Sequence, residues 1–125
     1  MARPRTFDER IVIRQAAELF AAQGFNGTSI DDLVKITGLM RGSIYKAFGS
    51  KRNLFEASLK QLGTQFTGSQ QDLDLLTIAL KELASDDQTI ADICKQIQLE
   101  TDLHLAQMLG ENLIGKMKGN TDGQS

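Results

Sequence analysis

TSIDDLVKITGLMRGSIYKAFGSK, residues 28–51, divides into two short helices joined by a tight turn, followed by the start of a third helix. Thr28 reads as the opening of the first helix, with Asp31 three residues on as a short capping-box acid. Ile30, Leu33 and Val34 fall at helical spacing, and Gly38 stands where a left-handed residue closes a helix at no steric cost. The second helix covers Met40 to Phe48. Ile44 and Phe48 are four apart, so they share one face and pack on the first helix. Arg41, Ser43, Tyr45 and Lys46 then face elsewhere. Short helices joined by a glycine-containing turn make a helix-turn-helix, whose second helix lies in a DNA major groove. The free face suits that task. Arg41 carries a planar fork for guanine edges or phosphate, and Ser43 donates or accepts. Gly42 lets the backbone come close, and Tyr45 offers a ring to a thymine methyl and a hydroxyl to phosphate. Ser50 caps the third helix, and its free N–H groups with the charge of Lys51 make a phosphate seat.

The flanking residues carry a resemblance. A first helix ends in Ala16-Ala17-Glu18-Leu19-Phe20 and runs to Gly24-Phe25. Thr28-Ser29-Ile30 follows, then Gly38 to Phe48, then Ser50-Lys51 to Leu54-Phe55. Over Thr6 to Leu62 the chain resembles the N-terminal DNA-binding domain of the TetR/AcrR family of bacterial transcriptional repressors. The resemblance covers a little under half the chain. It implies an all-α fold, with a three-helix helix-turn-helix domain followed by a small helical dimerisation domain. It also implies a phosphate contact at Thr28. Two positions depart from the family pattern. Met40 stands where Ser or Thr usually caps the recognition helix, and Ala47 where His or Tyr is common.

Charge is divided unevenly along the 125 residues. Residues 1–62 hold ten Lys/Arg against six Asp/Glu, whereas residues 63–125 hold four against ten. The basic half is the half with the helix-turn-helix, which favours nucleic acid, and phosphate repels the acidic half. Arg3 and Arg5 form a short basic arm suited to a minor groove or a phosphate. Thr6 and Glu9 fit a capping box for the first helix. No apolar run is long enough for a membrane span and the N-terminus lacks a signal-peptide core, so the expected location is cytoplasmic. One cysteine, Cys94, excludes an internal disulfide, and its place in an apolar stripe reads as packing. His104 stands ten residues away. Two such residues fall short of a metal site, no cofactor is expected, and no catalytic motif is present.

The expected organisation is a DNA-binding domain over 1–50, a connecting helix over 51–66, a short helical dimerisation domain over 72–118 and a disordered tail over 119–125. Leu73, Leu76, Leu80 and Leu83 mark one amphipathic helix, and residues 88–118 one bent helix or two. So few residues bury both of their faces only by pairing with a second copy. Ile90, Ile93, Ile97, Leu103, Leu109 and Leu113 are the expected dimer contacts. After Phe66 there is no aromatic residue, so nothing in the sequence supports a small-molecule effector pocket. The leading reading is a homodimeric repressor on a palindromic operator in double-stranded DNA. The other is a short family member that heterodimerises with a full-length repressor and modulates it.

Overall fold

The computed structural model describes the backbone of residues 7–123 and the side chains of residues 7–110. Among these residues the chain forms six α-helices and no strand. They are α1 (Glu9–Gln23), α2 (Ile30–Thr37), α3 (Arg41–Phe48), α4 (Lys51–Thr64), α5 (Gln70–Ile78) and α6 (Gln88–Gly123), with a π-helical turn, Ala79–Leu83, after α5.

Helix α1 is the hub of a first compact unit that ends at Cys94, and α2, α4 and α5 all pack against it. Its buried side is Val12, Ala16 and Phe20, spaced four apart. Leu33 of α2 and Leu54, Phe55 and Leu59 of α4 join this core with no exposed surface, and α3, which packs on α2 and α4, adds the equally buried Ile44. Three aromatic rings close the centre. Phe55 stands edge-on to Phe20 at 5.1 Å and to Phe25 at 5.4 Å between ring centroids, a favoured arrangement worth more than area burial alone. Phe55→Ala is expected to cost about 3–5 kcal/mol through lost transfer energy and the cavity it leaves. Urea unfolding monitored by circular dichroism measures it.

Helix ends follow local chemistry, one or two residues from the expected sites. Asp8 caps α1, accepting from the Arg10 N–H at 2.9 Å, and the Thr6 expected there lies outside the described residues. Ser29 rather than Thr28 caps α2, in a reciprocal box with Asp32: each side chain accepts the other's backbone N–H at 3.0 Å. Thr28 is turned inward and donates to the Gly24 carbonyl at 2.6 Å.

The boundary expected at 66–72 is not where the first unit ends. Ser69 caps α5, which packs back onto α1. The buried side of this segment is Leu75, Ala79 and Leu83, while the expected Leu73 and Leu80 are exposed. The π-helical turn adds a residue to one helical repeat and so shifts the phase of everything beyond it. Asp87 then caps α6, accepting from the Ile90 N–H at 3.2 Å.

Helix α6 is continuous from Gln88 to Gly123, so its helical backbone passes the Lys118 end read from the sequence and enters the expected tail. The second compact unit begins at Lys95 and lies on this helix. Ile90, Cys94 and Ile97 are buried, Ile93 and Thr101 half-buried, and Asp102 to Leu109 all exposed. Among the described residues no helix is long and apolar enough to cross a membrane.

Candidate nucleic-acid interface

Gly38 takes the left-handed conformation (φ 73°) that ends α2, and its N–H donates to the Val34 carbonyl at 2.9 Å. Thr37 stiffens the turn, its hydroxyl donating to the Leu33 carbonyl and accepting from the Leu39 N–H. Met40 makes no side-chain cap, and only its carbonyl serves α3, accepting from the Ser43 and Ile44 N–H groups. Ile44 has no exposed surface and anchors α3 on the core. That single anchor turns Arg41, Gly42, Tyr45 and Lys46 outward, with Ser43 half-buried at their edge. A side chain at Gly42 would meet nothing of this chain within 4 Å, so the intramolecular packing does not demand the glycine.

Sequence reasoning missed two neighbours of this face. Met40 is 78% exposed at the tip of α3, an apolar group of the kind that meets a thymine methyl. Asp31 pairs with Arg41 across the turn, so the guanidinium is already engaged by a carboxylate. The i to i+10 separation hides this pairing from any helical spacing rule.

The side chains beside α3 expected to hold phosphate are engaged within the chain. Thr28 is 1% exposed with its hydroxyl committed, so it offers nothing to a phosphate. Lys51 donates to the carbonyls of Phe25 at 2.9 Å and Thr28 at 3.0 Å and stands 4.2 Å from the centre of the Phe25 ring. It fastens α4 to the α1–α2 loop rather than standing free at the helix N-terminus. Lys51→Ala is expected to lower stability by about 1–3 kcal/mol, the cost of leaving partners unsatisfied. Thermal unfolding of the variant against Lys46→Ala checks this. Ser50 is half-buried and caps α4 through the Asn53 N–H at 3.0 Å. Arg3 and Arg5 lie outside the described residues.

Of the expected dimer contacts, Ile90 and Ile97 are buried within one chain and are not available to a second copy. Ile93 is half-buried. Leu103 and Leu109 are exposed, together with Leu99, Leu105 and Met108. The side chain of Leu113 lies outside the described residues. Cys94 is fully buried and burial pushes its thiol pKa up, which keeps it protonated and unreactive. Among the described residues no group of three potential metal ligands occurs. A shallow cleft of about 90 Å³ lined by Arg14, Ser58, Gln61, Gln71 and Asp72 is far smaller than a typical ligand pocket of about 300 Å³ or more.

Residues 12–58, from α1 into α4, match the family model described as bacterial regulatory proteins, tetR family. Residues 12–58 are a TetR-family domain. The chain is 40% identical over 60 residues to an uncharacterized HTH-type transcriptional regulator, YezE, of Bacillus subtilis, covering 48% of this chain and 31% of that protein. It is 33% identical over 69 residues to the HTH-type transcriptional repressor ComR of Escherichia coli, covering 55% of this chain and 33% of ComR. It is 37% identical over 49 residues to IcaR of Staphylococcus aureus, the negative transcriptional regulator of the biofilm operon icaADBC, covering 39% of this chain and 26% of IcaR. The match thus spans about a third or less of each relative's length. No solved structure matches the chain.

Proposed function

We propose that this protein is a sequence-specific DNA-binding transcriptional regulator, acting as a repressor on a palindromic operator as a homodimer in the cytoplasm. The observation that carries the reading is the outward face of α3. One buried residue, Ile44, seats that helix, and Arg41, Ser43, Tyr45 and Lys46 project from it inside a TetR-family domain. Arg41, Ser43, Tyr45 and Met40 meet base edges and methyls, whereas Lys46, Ser50 and the arm with Arg3 and Arg5 hold phosphates. Two relatives named as a repressor and a negative regulator support repression as the direction.

The homodimer rests on α6. Leu99 and Leu103, like Leu105 and Leu109, are four apart, so each pair forms a ridge, and all four are exposed in the single chain. Apolar ridges on a helix are buried by packing against another helix, and a second copy supplies an identical one. The acidic excess of residues 63–125, which phosphate repels, supports a different partner for the same ridges, another family member whose repression this chain modulates.

Selection of bound fragments from a random DNA pool, with solution mass measured on the same preparation, tests the proposal. A dimer that enriches a palindrome is the expected result. A monomer that enriches nothing would overturn the direct regulator in favour of the modulator.

A further inference from the structure

Two long-range contacts tie one short segment to both sides of the helix-turn-helix. Glu82, in the π-helical turn, accepts the Asn26 N–H of the α1–α2 loop at 2.8 Å. The fit is close, because a Cβ built at Gly24 would stand 2.8 Å from the other Glu82 oxygen. Asp87 takes Arg52 side-on with both oxygens, from Nε at 2.7 Å and Nη2 at 2.8 Å. Glu56, one turn along α4, holds the remaining guanidinium nitrogen. The hydrogen bonds from Arg52 hold the Asp87 carboxyl below its usual range, and those to Asp87 push the arginine pKa up.

Asn26 lies just before α2 and Arg52 just after α3. The two contacts therefore bracket the DNA-reading helices, and both acceptors come from residues 82–87. Asp87 also caps α6, so one carboxylate joins the start of α6 to the start of α4. The π-helical turn carries Glu82, and such turns occur frequently at functional sites.

We infer that Glu82 and Asp87 are positioning residues that fix the orientation of α2 and α3 for DNA reading, an inference that rests on the proposed function. They act on DNA binding only through Asn26 and Arg52. Simple electrostatics gives the opposite sign: removing a carboxylate makes the protein more positive and strengthens binding to any duplex.

The test uses the full chain carrying Glu82→Ala, Glu82→Gln or Asp87→Asn. Glutamine keeps an acceptor for the Asn26 N–H. Asparagine keeps the cap on α6 but gives up the ion pair with Arg52. Affinity for the selected palindrome and for a scrambled duplex is measured, together with amide hydrogen exchange of the DNA-free proteins. Glu82→Ala and Asp87→Asn should lose on the order of tenfold for the palindrome, a typical coupling between separated sites. They should keep or gain affinity for the scrambled duplex and show faster exchange across residues 26–50. Glu82→Gln should stay near wild type. Equal or tighter palindrome binding by Glu82→Ala and Asp87→Asn, with unchanged exchange, would overturn the inference. A wild-type protein that prefers no duplex would refute the DNA-reading function instead, while the exchange data would still report whether the bracket orders α2 and α3.

Discussion

Leu103→Glu combined with Leu109→Glu is expected to convert a dimer to a monomer and to lower affinity for a palindromic duplex by about 10²–10⁴-fold, the usual advantage of two linked sites. Both side chains are already exposed in the single chain, at 63% and 53%. Placing charge there removes no contact inside the first compact unit. Helical content and the urea midpoint of that unit therefore stay close to wild type, while solution mass halves. Affinity for an isolated half-site should fall little, since each reading head keeps its α3. An unchanged mass would show that these ridges are not the pairing surface. Ile90 and Ile97 make the contrasting case. Both are buried in one chain, so a charge at either would unfold structure instead of separating copies.

The second large effect belongs to Arg41. Arg41→Ala is expected to cost about 1–3 kcal/mol on the cognate site and to relax base choice at one position, as loss of a two-pronged contact to guanine does. Its pairing with Asp31 adds a companion prediction. Asp31→Ala removes an acid beside the α3 tip and releases the guanidinium, so binding to every duplex should tighten while discrimination falls. Binding measured against a set of single-base variants of the operator separates the two outcomes. Equal loss on all variants from Arg41→Ala would mean that Arg41 touches phosphate alone.

Much of the reading head was legible in the sequence, because its signals are local. Gly38 and the spacing of Leu33, Ile44 and Phe48 placed the turn and the two helices, and the structure has α2 ending at Thr37 and α3 ending at Phe48. What stayed hidden depends on neighbours far along the chain. Thr28 and Ser29 are adjacent hydroxyls, and which of them caps α2 is settled by the Gly24 carbonyl that captures Thr28. Lys51 looks like a free cation until the carbonyls of Phe25 and Thr28 are seen beside it. The stripe read as Leu73, Leu76, Leu80 and Leu83 shares only Leu83 with the buried set Leu75, Ala79 and Leu83, because a π-helical turn at Ala79–Leu83 breaks the 3.6 period that would join its two ends. In α6 the apolar pattern continues past Ile97, but from Gln98 to Gly110, the last residue whose side chain is described, no residue is buried. Periodicity marks an apolar face without saying whether this chain or another covers it.

If the α3 face reads DNA sequence, the protein separates its own site from other duplexes of the same charge. The most direct measurement is the ratio of affinities for the selected palindrome and a scrambled duplex of equal length, taken over a salt series. A ratio of about 10³ or more is expected, with both affinities falling steeply as salt rises. A ratio near one at every salt concentration would contradict sequence reading by α3.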